Sequence, residues 1–315
     1  MSVDKHDRQL DHEMPDESDS SGIFYGRKVR YAIGIEYRGT HYSGWQRQDI
    51  PRSDSVVSLP TEAPLSTIQL KIEQALSAIA NESITSICAG RTDTGVHARE
   101  QVVHFDTSAV RPDKAWILGV NTHLPDDISV HWVKPVASDF HARFSATARH
   151  YRYFINNQAT RPALSRELMT SIWRPLDHQA MHAAAQYLLG ENDFSSFRGN
   201  SCQSKTPFRR VHHIDVQRVG AMVVMDIKAN AFLHHMVRNI MGVLIRVGQG
   251  EKPVTWVREV LEAKTRTAAG ITAPPNGLYL MKVDYPEHFQ LPQRVVDPLN
   301  GGGPFEAVLA NRDGA

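Results

Sequence analysis

Arg91 and Asp93 stand two residues apart in the stretch 88–98, bracketed by Gly90 and Gly95, and here the chain's residue types could carry out covalent chemistry. Glycines serve where a backbone must enter conformations closed to other residues or approach another group closely, so the two charged side chains can face one pocket. A guanidinium beside a carboxylate favours its ionised form and leaves a charged oxygen able to act as nucleophile or base. The plainer alternative is an Arg/Asp pair that stiffens a tight turn. Strand-like runs at 84–88 and 101–105 flank the stretch, which puts its polar residues on a loop held by a rigid sheet.

Asp93-Thr94-Gly95 also matches the D-T-G of aspartic proteases, where two carboxylates share one proton. That chemistry needs a second Asp-Thr/Ser-Gly, and the sequence has none. Arg91 would moreover keep the Asp ionised and spoil a shared proton. The pairs His212-His213 and His234-His235 raise metal ligation. Adjacent residues point to opposite faces of a strand, or lie about a quarter turn apart on a helix, so neither pair chelates as it stands. No G-x-G-x-x-G or Walker loop occurs, so neither a metal nor a cofactor is expected.

The elements that must position this loop follow from periodicity. Val29, Tyr31, Ile33 and Ile35 alternate with Arg30, Ala32 and Gly34, a strand pattern. Ser66, with Gln69 three residues on, reads as a capping box, followed by the apolar face Ile68, Ile72, Ala75, Leu76 and Ile79. After the loop come a helix at 113–121 and a strand at 128–133. The second half repeats the order: a strand at 147–155, a helix capped by Asp177, strands at 211–216 and 222–227, a helix at 233–247, a short helix and a strand at 278–283. Each half is β-α-β-β-α-β. The expected fold is therefore α+β, two ferredoxin-like domains (27–140 and 141–289) whose antiparallel sheets flank a central cleft. Residues 1–26 and 290–315 read as disordered tails, and 49–65 as an exposed loop.

A chain of 315 residues, 41% hydrophobic, can bury the cores of two such domains. Lys plus Arg (35) nearly balance Asp plus Glu (34), but residues 1–20 hold seven acids and two bases, so the rest is basic. The excess clusters at 141–174, where six arginines (Arg143, Arg149, Arg152, Arg161, Arg166, Arg174) accompany one acid, Glu167. Such a run suits a polyanion, or a solvated basic face. Cys88 and Cys202 form no C-x-x-C pair, which fits a reducing compartment. No apolar run reaches a membrane-spanning length and the N-terminus has no hydrophobic segment, so the expected location is the cytoplasm, away from any membrane.

The run from Gly90 to Ala98 resembles the signature G-R-T-D-x-G-V-H-A of the TruA family of tRNA pseudouridine synthases. Further blocks resemble the family in order: Gly44-Trp45-Gln46-Arg47-Gln48, Phe140-His141-Ala142-Arg143-Phe144, Arg149-His150-Tyr151-Arg152-Tyr153, Gly190-Glu191-Asn192-Asp193-Phe194, and the block from Ala231 to Asn239. The likeness covers residues 30–285; the two tails and a longer loop at 52–64 depart from it. It implies isomerisation of uridine to pseudouridine at positions thirty-eight to forty of the tRNA anticodon stem-loop, with no cofactor, by a homodimer. It also implies roles: Asp93 as nucleophile, Arg91 as its partner and holder of the flipped nucleotide, Tyr151 as uracil platform and proton acceptor, and Arg238 as the arginine reaching in from the second domain. Arg143, Arg149 and Arg152 would track the RNA backbone. A non-catalytic RNA-binding protein on the same scaffold is the alternative, and the choice rests on Asp93.

Overall fold

The computed structural model describes residues 28–46 and 66–292. The expected tail 1–26 and loop 52–64 lie outside them, as does the expected C-terminal tail beyond residue 292. The first half runs β1 (Val29–Tyr37), α1 (Ile68–Ala80), β2 (Ser86–Cys88), β3 (His97–Thr107), a π-type turn (Ala115–Gly119) leading into α2 (Val120–His123), and β4 (Ile128–Val136). The second runs β5 (Ala148–Asn156), β6 (Thr170–Ser171), α3 (His178–Ala185), β7 (Gly190–Asp193), β8 (Phe208–Val219), β9 (Met222–Ala229), α4 (Met236–Gly248), α5 (Trp256–Ala263) and β10 (Leu278–Asp284).

β1 is buried on both faces from Tyr31 to Ile35, and its small residues allow this. A Cβ on Gly34 would sit 2.0 Å from the Trp132 indole nitrogen, so only glycine lets that ring cover the strand. α1 buries Ile68, Ile72, Ala75 and Leu76 as its spacing requires. Its cap is Thr67, one residue beyond Ser66: the Thr67 side chain accepts from Leu70 N, while Gln69 instead donates to Glu73 and to the Ser86 carbonyl. Asp177 caps α3 by accepting from Gln179 N and Ala180 N. α4 buries Val237, Ile240, Met241, Leu244 and Val247 along one stripe.

The expectation of two separate sheets is corrected. The described strands form one sheet in the order β4-β1-β3-β10-β5-β9-β8-β7, with β2 on β3 and β6 on β5. The junction is a short parallel pairing of β10 with β3, Tyr279 opposite His97 and Leu280 opposite Ala98. β3 is long enough to hold β2 at residues 103–105 and β10 at residues 97–98 on the same edge. The architecture is mixed α/β, with helices packed on a continuous sheet, α3 against α4 and α1 against α2.

His97 reinforces this seam. Its Nδ1 accepts from Gly39 N (3.1 Å), and its Nε2–H donates to the Glu167 and Asn276 carbonyls, both at 3.2 Å. The ring stacks on Tyr279 at 4.5 Å. Burial pushes its pKa down to about 4, so it holds the two halves together as a neutral imidazole.

Candidate active site

The loop before β3 is fixed by its backbone. Gln101, fully buried, donates from Nε2 to Gly90 O (2.5 Å) and accepts from Gly90 N (3.2 Å). Ala89 N donates to Val102 O at 2.8 Å. Thr92 is buried with its hydroxyl 2.8 Å from the Tyr37 hydroxyl, and its carbonyl accepts from Trp45 N. Asp93 then opens a tight turn in which Val96 N donates to its carbonyl and Gly95 takes φ +76°, the left-handed geometry that glycine tolerates. The side chain of Asp93 is thereby held half-buried at a cleft of about 790 Å³.

What meets that carboxylate comes from the other half of the chain. Arg238, in the first turn of α4, donates from Nη1 to Asp93 Oδ2 at 3.0 Å and from Nε to the Ala273 carbonyl at 2.9 Å. His234 Nε2 lies 3.4 Å from Oδ1 and His235 Nε2 3.3 Å from Oδ2. The two imidazoles stack at 3.7 Å because His235, at the N-terminal end of α4, adopts φ 61°, a left-handed conformation uncommon for a non-glycine residue. Burial lowers the His235 pKa. Neighbouring histidines diverge in regular strand or helix geometry, and these two converge because His235 departs from both. His212 and His213 lie on β8 and do not line the cleft.

The other expected site residues divide. Arg91 is exposed on the cleft rim, and the hydrogen bond to Asp93 expected from it is supplied by Arg238. Tyr151 lies in the cleft wall, buried, with its ring edge-to-face on Phe232 at 5.0 Å. Burial pushes its hydroxyl well above the usual tyrosine value, so it stays a phenol. Tyr153 is core: its hydroxyl bonds Thr170 and the Pro274 carbonyl.

Arg143 is exposed on the cleft, its guanidinium over the Phe144 ring. Arg149 and Arg152 depart from the expectation of phosphate contact. Arg149 is buried and donates to four backbone carbonyls, of Ala89, Arg143, Ala146 and Asn230, tying the Asp93 loop to β5. Arg152 is 3% exposed and paired with Asp226 from Nε and Nη2, outside the cleft. Arg161, Arg166 and Arg174 are the exposed members of the run besides Arg143.

This arrangement is a carboxylate in a cleft, oriented by a guanidinium and two imidazoles, with cationic side chains at the rim. It suits a nucleophile or base acting on a polyanionic substrate. Cys88, nearby, is buried and its thiol is pushed up to about 12, so it is no competing nucleophile. Sequence reasoning raises His234 and His235 only as a metal-ligating pair and sets them aside; their place just before Arg238 in one motif is the signal that they belong to the site.

Comparison with known proteins identifies the family. Residues 33–145 and 184–286 match the tRNA pseudouridine synthase family. tRNA pseudouridine synthase A of Enterobacter sp. (strain 638) is 57% identical over 270 residues, 86% of this chain and 95% of that protein. The proteins of that name from Pseudoalteromonas atlantica and Shewanella loihica are 56% and 54% identical, each over 86% of this chain and 98% of theirs. The chain belongs to the tRNA pseudouridine synthase family. No described helix is long and apolar enough to cross a membrane.

Proposed function

We propose that the protein isomerises uridine to pseudouridine at positions thirty-eight to forty of the tRNA anticodon stem-loop, with Asp93 as the reacting carboxylate. The observation that carries this reading is the cross-half contact of Arg238 with Asp93 in a cleft lined by the family signature. The bond from uracil N1 to ribose C1′ breaks, the base turns, and C5 bonds to C1′ while C5 loses a proton and N1 gains one. The reaction is redox-neutral and needs no energy input. The target nucleotide must leave the stem to reach Asp93, and Arg91 at the rim is placed to hold it out. Tyr151 supplies an aromatic wall for the base.

With β6, β7 and α5 taken as additions to the second half, each half carries the element order β-α-β-β-α-β, with its four principal strands ordered β4-β1-β3-β2 and β10-β5-β9-β8. This supports two ferredoxin-like units, 27–140 bearing the loop and 141–289 completing the site and binding RNA, fused at β3 and β10. A homodimer working on one tRNA in the cytoplasm is part of the same reading.

The test is incubation with an unmodified tRNA transcript, followed by mapping of pseudouridine by chemical modification and primer extension. Wild-type protein gives stops at the proposed positions. Asp93→Asn binds the transcript but loses at least about 10⁴-fold in single-turnover rate, the scale for an indispensable catalytic group. A near wild-type rate for that variant refutes the assignment.

A further inference from the structure

We infer that Asp93, His234 and His235 form a three-ligand site for a borderline-soft transition-metal dication, Zn²⁺ above all, whose occupancy blocks the carboxylate and inhibits the enzyme. They are the only group of three or more potential His, Cys, Asp or Glu ligands brought together among the described residues, their ligand atoms all within 4.8 Å of one another. Tetrahedral Zn²⁺ at about 2.0–2.2 Å from nitrogen and oxygen ligands has ligand-to-ligand edges of roughly 3.3–3.5 Å. His234 Nε2 lies 3.4 Å from Oδ1, so one edge is already set, and His235 Nε2 lies 3.3 Å from the other oxygen, Oδ2, of the same carboxylate. Two imidazoles and one carboxylate leave a fourth position facing the cleft.

The surroundings suit both the metal-free and the metal-bound states. Ser201 Oγ lies 3.1 Å from His234 Nδ1. A hydroxyl can donate or accept, so when the ion replaces the proton on Nε2, Nδ1 becomes the N–H donor and Ser201 accepts from it. Gly199 packs under both rings: a Cβ there would lie 2.7 Å from His234 Nδ1 and 3.3 Å from His235 Nδ1. The rings are thus held by their backs with their Nε2 atoms toward Asp93.

Arg238 opposes a second cation, and it shapes the prediction. It holds Oδ2, so the ion meets Oδ1 while Arg238 remains as the hydrogen-bond donor that ligating carboxylates commonly keep. Its charge weakens binding but does not change the donor set. Imidazole donors select Zn²⁺, Cu²⁺, Ni²⁺ and Co²⁺ over Mg²⁺, which prefers oxygen ligands. Mg²⁺ used to fold tRNA therefore leaves this site alone.

The inhibitory consequence rests on the proposed role of Asp93; the binding does not, and the experiment separates them. Zn²⁺ alone is titrated into the full-length protein without RNA, in competition with a chromophoric chelator. One site per chain is expected, with His234→Gln and His235→Gln each weakening it at least about tenfold, and Asp93→Asn, which keeps the side-chain shape, doing the same. Co²⁺ substitution should give the intense visible absorption of a tetrahedral centre. Stoichiometry and affinity unchanged in all three variants, or an octahedral Co²⁺ spectrum, overturn the site. If a His variant unfolds, the Asp93→Asn titration and the wild-type Co²⁺ spectrum still decide. In the transcript assay Zn²⁺ should slow single turnover, with chelator restoring the rate and saturating tRNA raising the Zn²⁺ needed. Binding without inhibition overturns the regulatory half, whereas failure of the wild-type protein to modify tRNA overturns the proposed function and leaves the metal result standing.

Discussion

Arg238 reaches Asp93 across 145 positions of sequence to make a 3.0 Å hydrogen bond, while its Nε is held by the Ala273 carbonyl. The two ends of one planar guanidinium are thus fixed to different segments, and the carboxylate inherits that orientation.

Arg238→Lys should separate charge from geometry. A lysine ammonium can approach Asp93 but cannot bond Ala273 through a second, fixed nitrogen. Single-turnover rate should fall about 10–100-fold, corresponding to roughly 1.4–2.7 kcal/mol, with tRNA affinity little changed. Rapid quench with saturating enzyme measures this, and a wild-type rate would mean that charge alone suffices.

Tyr151→Phe should be mild. The buried hydroxyl holds its proton at neutral pH, so the residue serves as an aromatic wall against Phe232. A rate loss under about tenfold is expected, since general acid-base groups contribute more than that. A larger loss would restore Tyr151 as the proton acceptor.

The arginines of 141–174 should split in two. Replacing exposed Arg161, Arg166 or Arg174 with Gln should lower the slope of log affinity against log salt by about one each where they meet phosphate. Arg152→Gln should leave that slope alone and instead reduce stability, because Asp226 loses its partner. Arg149→Met should cost about 2–4 kcal/mol, since four carbonyls lose one charged donor. Salt titrations of tRNA binding and denaturant melts check both halves.

Acid should loosen the seam at His97 before it protonates most carboxylates. The folded pKa, near 4, lies below the ordinary histidine value of 6.5, so the unfolded chain binds the proton more readily between those two values. Stability from this group is complete above pH 6.5 and is lost as pH falls toward 4, at up to about 1.4 kcal/mol per pH unit. His97→Gln, melted across that range, should show a shallower pH dependence than the wild type.

What the sequence made legible was what short segments encode. The glycine-bracketed loop, the apolar stripe of α4 and the Asp177 cap all follow from local spacing. The short strands β6 and β7 carry no alternation to announce them. The insertion of β10 between β3 and β5 depends on a pairing between residues far apart in the chain. An arginine run reads as solvated because its acceptors are backbone carbonyls, which no residue type reveals; Arg149 is the instance. The left-handed turn at His235 was equally hidden, because no glycine or asparagine marks it.

β10 is the last strand of the described chain, yet it occupies the middle of the sheet. During synthesis the first half can pair β4, β1, β3 and β2, but the 97–98 end of β3 stays an open edge until β10 emerges. Arg238 and the histidines that face Asp93 also come late, at and just before the start of α4, with α5 between them and that strand. A ribosome-bound fragment that ends before β10 therefore carries the Asp93 loop on a sheet whose edge is still open, and the cleft is complete only when β10 slots into place.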